Sequence, residues 1–226
     1  MTKLVFGIFA HPDDEAFGPV GTLISEVHSG TKLHLILLTQ GEAGANPDNV
    51  PDLGKTRVDE WQKSASLIGA SSTHLLDYAD GQLNNTSMQK IADKIEQIIH
   101  ELTTSDNSEI DFITLDLNGI TGHVDHIVAA RAATLAYHRL KNGGLRMNSI
   151  RYFCVPETNA PNANTDWIFV EKGRSTREIH EIIDAKQYLA EIRGAIAAHQ
   201  SQRDDAATIL KNLGDSLGIE HFIVSK

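Results

Sequence analysis

A single cysteine, Cys154, occurs among 226 residues, so the chain can close no internal disulfide and carries no CxxC metal site. Basic residues are the second shortage: 20 Lys and Arg stand against 30 Asp and Glu, a formal charge of -10. A chain this acidic is a poor partner for phosphate backbones, which argues against nucleic acid. The nearest approach to a basic cluster, Lys172, Arg174 and Arg177, is flanked by acids. No run approaches the ~20 apolar residues of a membrane span. The opening MTKLVFGIFAHPDD is too short in its apolar part for a signal peptide and has no small-residue cleavage site. Together these absences fit a cytoplasmic protein. There is also no G-x-G-x-x-G after the first apolar run and no Walker G-x-x-x-x-G-K-[ST], so a nucleotide-binding module, the non-enzymatic alternative, lacks a visible phosphate cradle.

What is present is a regular alternation. KLVFGIF (3–9) and KLHLILLT (32–39) are near-continuous apolar runs, as in strands covered on both faces, and residues 16–29 between them predict a helix ended by Gly30. The pattern recurs. Helices are predicted at KTRVDEWQKSASLIG, SMQKIADKIEQIIHEL and HVDHIVAARAATLAYHRL, with strands at STHLLDY, IDFITLDL and SIRYFCVP. Beyond Pro156 the pattern loosens into a polar loop, a short strand at WIFV, one long helix over 175–200 and an edge strand in the tail EHFIVSK. With no repeat or linker, the reading is one α/β domain over 1–226, a Rossmann-like three-layer sandwich on a mostly parallel sheet.

Ligand sites in such sheets lie beyond the carboxyl ends of the strands. "AHPDDE" at 10–15 places His11, Asp13 and Asp14 there, and "GHVDH" at 122–126 places His123, Asp125 and His126 at the same edge. Each cluster alone reads as a helix start: Pro12 with acids in the first turn in one, and Thr121 or Asp125 as the cap in the other. Two His/Asp clusters on one edge are harder to assign to capping. A catalytic zinc takes three protein ligands and leaves a position for water. His11, Asp14 and His126 supply three, with iron(II) or cobalt as alternative occupants. His123 can stand beside His126, and Asp13 is left to take a proton from the bound water. His28, His100 and His138 lie in helical patterns and read as surface or packing residues.

These motifs resemble the PIG-L / LmbE-like family of zinc-dependent N-acetylglucosamine deacetylases, which act in glycosylphosphatidylinositol, mycothiol and bacillithiol synthesis. "TQGEAG" (39–44), "RVDEWQKSASLIG" (57–69), "DYADGQL" (77–83) and "KQYLAEIRGAIAAHQSQ" (186–202) extend the likeness, with Ile68 interrupting the family's Leu-Gly turn. The resemblance implies His11, Asp14 and His126 as metal ligands and Asp13 as general base. It implies His123 facing the tetrahedral intermediate and Asp125 beside it, orienting or tuning its ring. It places Arg57 and Asp80 near the substrate, gives Glu42 a supporting part in the substrate loop, and leaves His199 to pack the last helix or to reach the site, packing being favoured. The implied substrate is a small amino sugar, and relatives form homo-oligomers, though no interface is legible here.

The chemistry is coherent. A metal lowers the pKa of water from ~15.7 to ~7, Asp13 collects the proton, and a protonated His123 with the metal steadies the oxyanion. Asp13 or His123 returns a proton to the leaving amine. A rival motif, "GDSLG" at 214–218, matches the serine elbow G-x-S-x-G, but Ser216 follows a helical stretch and has only His221 downstream. Hydrolysis of another amide or an ester is the alternative within the metal reading; a two-metal phosphatase would need more carboxylates. Loops 42–54 and 156–167, with Asn46, Asn49, Asn159 and Asn162, are expected to choose the substrate.

Overall fold

The first apolar run forms β1 (Thr2–Phe9), whose last six residues are buried. Its alternate side chains serve two cores. Leu4, Phe6 and Ile8 join one, and Val5 and Phe9 the other. The structure, a computed structural model, describes residues 2–103, 108–160 and 173–226. Lys172, Asn162 and the expected WIFV strand lie outside the described residues.

The predicted first helix is two. α1 (Asp14–Phe17) is a single turn and α2 (Val20–His28) follows it. Gly18 and Pro19 separate them: Pro19 precedes the second helix, as its fixed φ favours. β2 (Lys32–Thr39) then pairs parallel with β1. α3 (Leu53–Ile68) is opened by Asp52, whose carboxylate accepts from Lys55 N–H, and closed by Gly69 in the left-handed region at φ 90°. β3 (Ser72–Tyr78), α4 (Asn85–Leu102), β4 (Ser108–Leu115), the short α5 (Gly119–Gly122), α6 (Val124–Asn142) and β5 (Met147–Cys154) continue the alternation.

The end of the chain departs from expectation. Residues 175–200 do not form one helix. Glu181–Asp184 form β6, a 3-10 turn covers Lys186–Tyr188, and α7 runs only over Leu189–Ala198. Another 3-10 turn leads into α8 (Arg203–Leu213), and β7 (Ile219–Ser225) closes the described chain. β7 is not an edge strand: it lies antiparallel between β5 and β6. Pairing with β7 gives β6 a ladder that local helical spacing cannot anticipate.

The sheet order is β3-β2-β1-β4-β5-β7-β6, parallel from β3 to β5. Helices cover both faces. Ile91, Ile95 and Ile99 of α4 and Ala129, Ala132 and Ala136 of α6 pack on one, while Leu23 of α2, Trp61 of α3 and Ile192 of α7 pack on the other. The order reverses between β1 and β4, where a crevice opens beyond the strand ends. Among the described residues, no helix is long and apolar enough to cross a membrane.

Candidate metal centre and its acids

Both His/Asp clusters reach that crevice, one after β1 and one after β4. The Asp14 carboxylate builds its own turn: Oδ2 accepts from the N–H groups of Ala10 at 3.0 Å and His11 at 2.9 Å. Asp13, just before α1, has φ 121° and ψ -25°, a conformation an L side chain rarely takes and one that costs about 1–3 kcal/mol. Arg57 of α3 grips this turn. Its Nη2 donates to Pro12 O at 2.8 Å and to Asp13 Oδ2 at 2.9 Å, and its Nη1 to Gly41 O at 2.7 Å. Gly41, at φ +68°, leaves room for the guanidinium, because a Cβ there would stand 2.6 Å from it.

Three donors converge. His126 Nε2 lies 3.1 Å from Asp14 Oδ1 and 3.0 Å from His11 Nδ1, and His11 Nδ1 lies 3.9 Å from Asp14 Oδ2. Outer partners fix the rings. His11 Nε2 faces Asp80 Oδ1 at 3.0 Å and Asp125 Oδ2 at 3.4 Å, so Nε2–H donates outward and Nδ1 faces the cluster. His126 Nδ1 faces Gly119 O at 3.2 Å, which directs its Nε2 inward. One proton cannot satisfy Nε2 toward both a carboxylate and a second imidazole nitrogen. A cation bound by all three can. Asp14 meets His126 through Oδ1 and His11 through Oδ2, and two imidazole nitrogens beside one carboxylate are a donor set that fits a divalent ion. His123 brings a ring nitrogen within 4.8 Å of those of His11 and His126, and is the alternative third donor.

The electrostatics of the cluster favour positive charge. Burial works against protonating His11, yet Asp125, Asp80 and Asp14 push its pKa up to about 10. Burial also works against the Asp14 carboxylate, but His126 and His11 hold it well below the usual range. Asp13 goes the other way. Burial raises it to about 6, with Arg57 opposing and Asp14 adding to the rise. His123 falls to about 4 through burial and its neighbours His126 and His11. Both effects favour the neutral ring over the protonated one expected. Its Nδ1 accepts from Asp125 N–H at 3.2 Å as the cap of α6, which leaves the proton on Nε2.

These groups stand in a cavity of about 720 Å³, whose other walls include Phe17, Leu115, Phe153, Ile192 and Ile196. Residues 6–137, which span both clusters, match the family described as PIG-L: GlcNAc-PI de-N-acetylase. The chain belongs to the PIG-L family. A probable N-acetylglucosaminyl-phosphatidylinositol de-N-acetylase of Schizosaccharomyces pombe is 32% identical over 133 residues, 56% of this chain and 48% of that relative. The chain thus spans about half the length of that protein. Among solved structures, the N,N'-diacetylchitobiose deacetylase of Pyrococcus horikoshii superposes with a TM-score of 0.72 at 17% identity, over 99% of this chain and 84% of that one. The 4-carboxy-2-hydroxymuconate hydratase of Pseudomonas putida shares the fold, with a TM-score of 0.69 at 15% identity over 100% and 97% of the two chains.

Within this PIG-L chain the expected residues gather, but several turn elsewhere than expected. The Asp125 carboxylate accepts from the N–H groups of Gly81 at 2.7 Å and Leu83 at 3.1 Å and faces His11, while its backbone N–H donates to His123. Asp80, expected at the substrate, also backs His11, and Ala43 N–H donates to its other oxygen. Glu42 supports that loop by accepting from Asp80 N–H at 2.9 Å. Arg57 lines the cavity, yet its hydrogen bonds hold Asp13 and the flanking carbonyls. Asn46 bonds within its own loop to Val50, whereas Asn159 lines the cavity. Arg174 pairs with Asp116 and Glu178, and Ser216 ends a 3-10 turn rather than a strand. Sequence reasoning gave no part to Glu15 or Ser64 behind Asp13. The only signals were a third acid in "PDDE" and His199 in the late His-x-Ser-Gln segment.

Proposed function

We propose that residues 1–226 act as one metal-dependent N-deacetylase domain that hydrolyses the acetamide of an N-acetylglucosamine-containing substrate. Zinc is the ion we assign, held by His11, Asp14 and His126. The convergence of these three donors beside one strained acid that none of them needs supports this reading most directly. Membership of the PIG-L family adds the substrate class.

The bound ion would supply Lewis acidity and acidify water in its vicinity. The protein's own residues do the rest. Asp13, with a pKa of about 6, takes a proton from the attacking water as its oxygen bonds to the acetamide carbon. His123 offers Nε2–H to the carbonyl oxygen as negative charge develops there, as a neutral donor. When the C–N bond breaks, the amine nitrogen needs a proton. Asp13 now carries one, and His123, with its pKa depressed to about 4, is the poorer source. Acetate and the free amine leave.

The test is free-amine release from a panel of N-acetylglucosamine conjugates by protein stripped of metal and then reloaded with zinc. Amine that appears only after reloading supports the reading, and the preferred conjugate names the aglycone. Zinc bound one per chain with no amine from any conjugate would contradict deacetylation of these sugars and redirect the search to other amides or esters. A hydratase would release no amine under any of these conditions.

A further inference from the structure

Glu15 and His199 have no part in the steps above, yet both are buried, at 0% and 1% exposure. Glu15 Oε1 accepts from His199 Nε2 at 2.9 Å and from Ser64 Oγ at 2.7 Å. Glu15 Oε2 accepts from the backbone N–H of Asp13 at 3.2 Å. His199 arrives from the far end of the chain, at the point where α7 stops, with the Phe17 ring against it at 5.7 Å. The turn it opens is fastened on both sides. Ser201 donates twice to Glu60 of α3, at 2.8 Å and 2.6 Å, and Gln202 donates to Ala45 O at 2.9 Å in the loop after β2.

Packing alone does not account for the pair. A fully buried carboxylate and imidazole pay desolvation, and apolar residues of similar volume generally do as well or better for stability. His199 Nδ1, moreover, is buried without a hydrogen-bond partner among the described residues. The links do reach one place where the backbone is strained. Arg57 holds the Asp13 carboxylate and the carbonyl before it, and Glu15 holds the Asp13 N–H between them.

We propose that Glu15 and His199 are positioning residues: His199 orients Glu15, and Glu15 fixes the Asp13 peptide at φ 121° so that its carboxylate faces the His11–Asp14–His126 cluster. This rests on the reading of Asp13 as the base. Glu15 receives three donors on two oxygens, and Gln offers one oxygen and one N–H2. With that oxygen turned to His199 and Ser64, its amide would meet the Asp13 N–H donor to donor.

Glu15→Gln, His199→Ala and His199→Gln are therefore compared with the wild type by two measurements. One is amide hydrogen exchange at Asp13, followed by NMR on the full chain. The other is kcat, KM and bound zinc. Asp13 exchange should rise at least about tenfold in Glu15→Gln and His199→Ala while core amides of β1 and β4 keep their protection. The same variants should lose about 10²-fold in kcat with KM within about threefold and zinc retained, and His199→Gln, which keeps an N–H donor, should recover much of the loss. Unchanged Asp13 exchange in both would overturn the proposal, as would a kcat loss that comes with loss of zinc. If Glu15→Gln does not fold, the two His199 variants decide it on the same criteria. A wild-type chain that deacetylates nothing would remove the base assignment, while the exchange result would still judge the positioning.

Discussion

Asp80 and Asp125 stand on the outer nitrogen of His11, 3.0 Å and 3.4 Å from it. Spacing alone could not have put them there, because Asp80 reaches His11 from the loop after β3 and Asp125 from the first turn of α6. Their place implies a measurable division of labour. Asp80→Asn and Asp125→Asn should each weaken zinc binding about 10–100-fold, read by competition with a chelator, since they orient and strengthen a ligand. His123→Gln should keep zinc and lose about 10²–10³-fold in kcat, because it removes a donor to the developing oxyanion. The convergence itself was legible: His11, Asp14 and His126, the ligands proposed above, belong to two short motifs and lie together. The charge state of His123 was not. It depends on burial and on two neighbouring rings, His126 one turn along the same helix start at 4.7 Å and His11 from the β1 loop at 4.8 Å.

Elements with strong periodicity were read well. The apolar runs at 3–9 and 32–39 became β1 and β2, and the Ile91/Ile95/Ile99 stripe became the buried face of α4. Misreadings fell where partners from far away decide the outcome. β6 exists because β7 pairs with it, whereas the break in the first helix is local, set by Gly18 and by Pro19 at the start of α2. One element also carries a pH dependence. On β2, buried His34 bonds Ser72 on β3 at 2.7 Å, and His74 shares the same hydroxyl at 2.7 Å. Burial, with His74 and Lys32, lowers the His34 pKa from 6.5 to about 4. Above pH 6.5 the group is neutral folded or unfolded and changes nothing. Below it the unfolded chain takes up the proton first, so stability falls as pH drops from 6.5 toward 4. Thermal melts should show that fall in metal-free protein, and His34→Gln should shrink it by about a few degrees. An identical fall in the variant would assign the acid sensitivity elsewhere.

At the scale of the whole molecule, the order β3-β2-β1-β4-β5 makes the site. It sets the loops after β1 and β4 side by side at the reversal, and α3 and the segment after α7 close in behind Asp13 through Arg57 and His199. The parallel α/β alternation and the shared edge of the two motifs were legible in the sequence. The antiparallel β7–β6 extension was not, because nothing local announces which strand receives the tail. The same architecture supports a deacetylase and a hydratase in other proteins, so it is the site that has to be tested. The most direct measurement sets zinc content beside deacetylation rate for Asp13→Asn and Asp14→Ala. The account predicts that Asp13→Asn keeps one zinc per chain and loses about 10²–10⁴-fold in kcat, while Asp14→Ala loses both. Equal loss of zinc in the two variants, or an active Asp13→Asn, would contradict it.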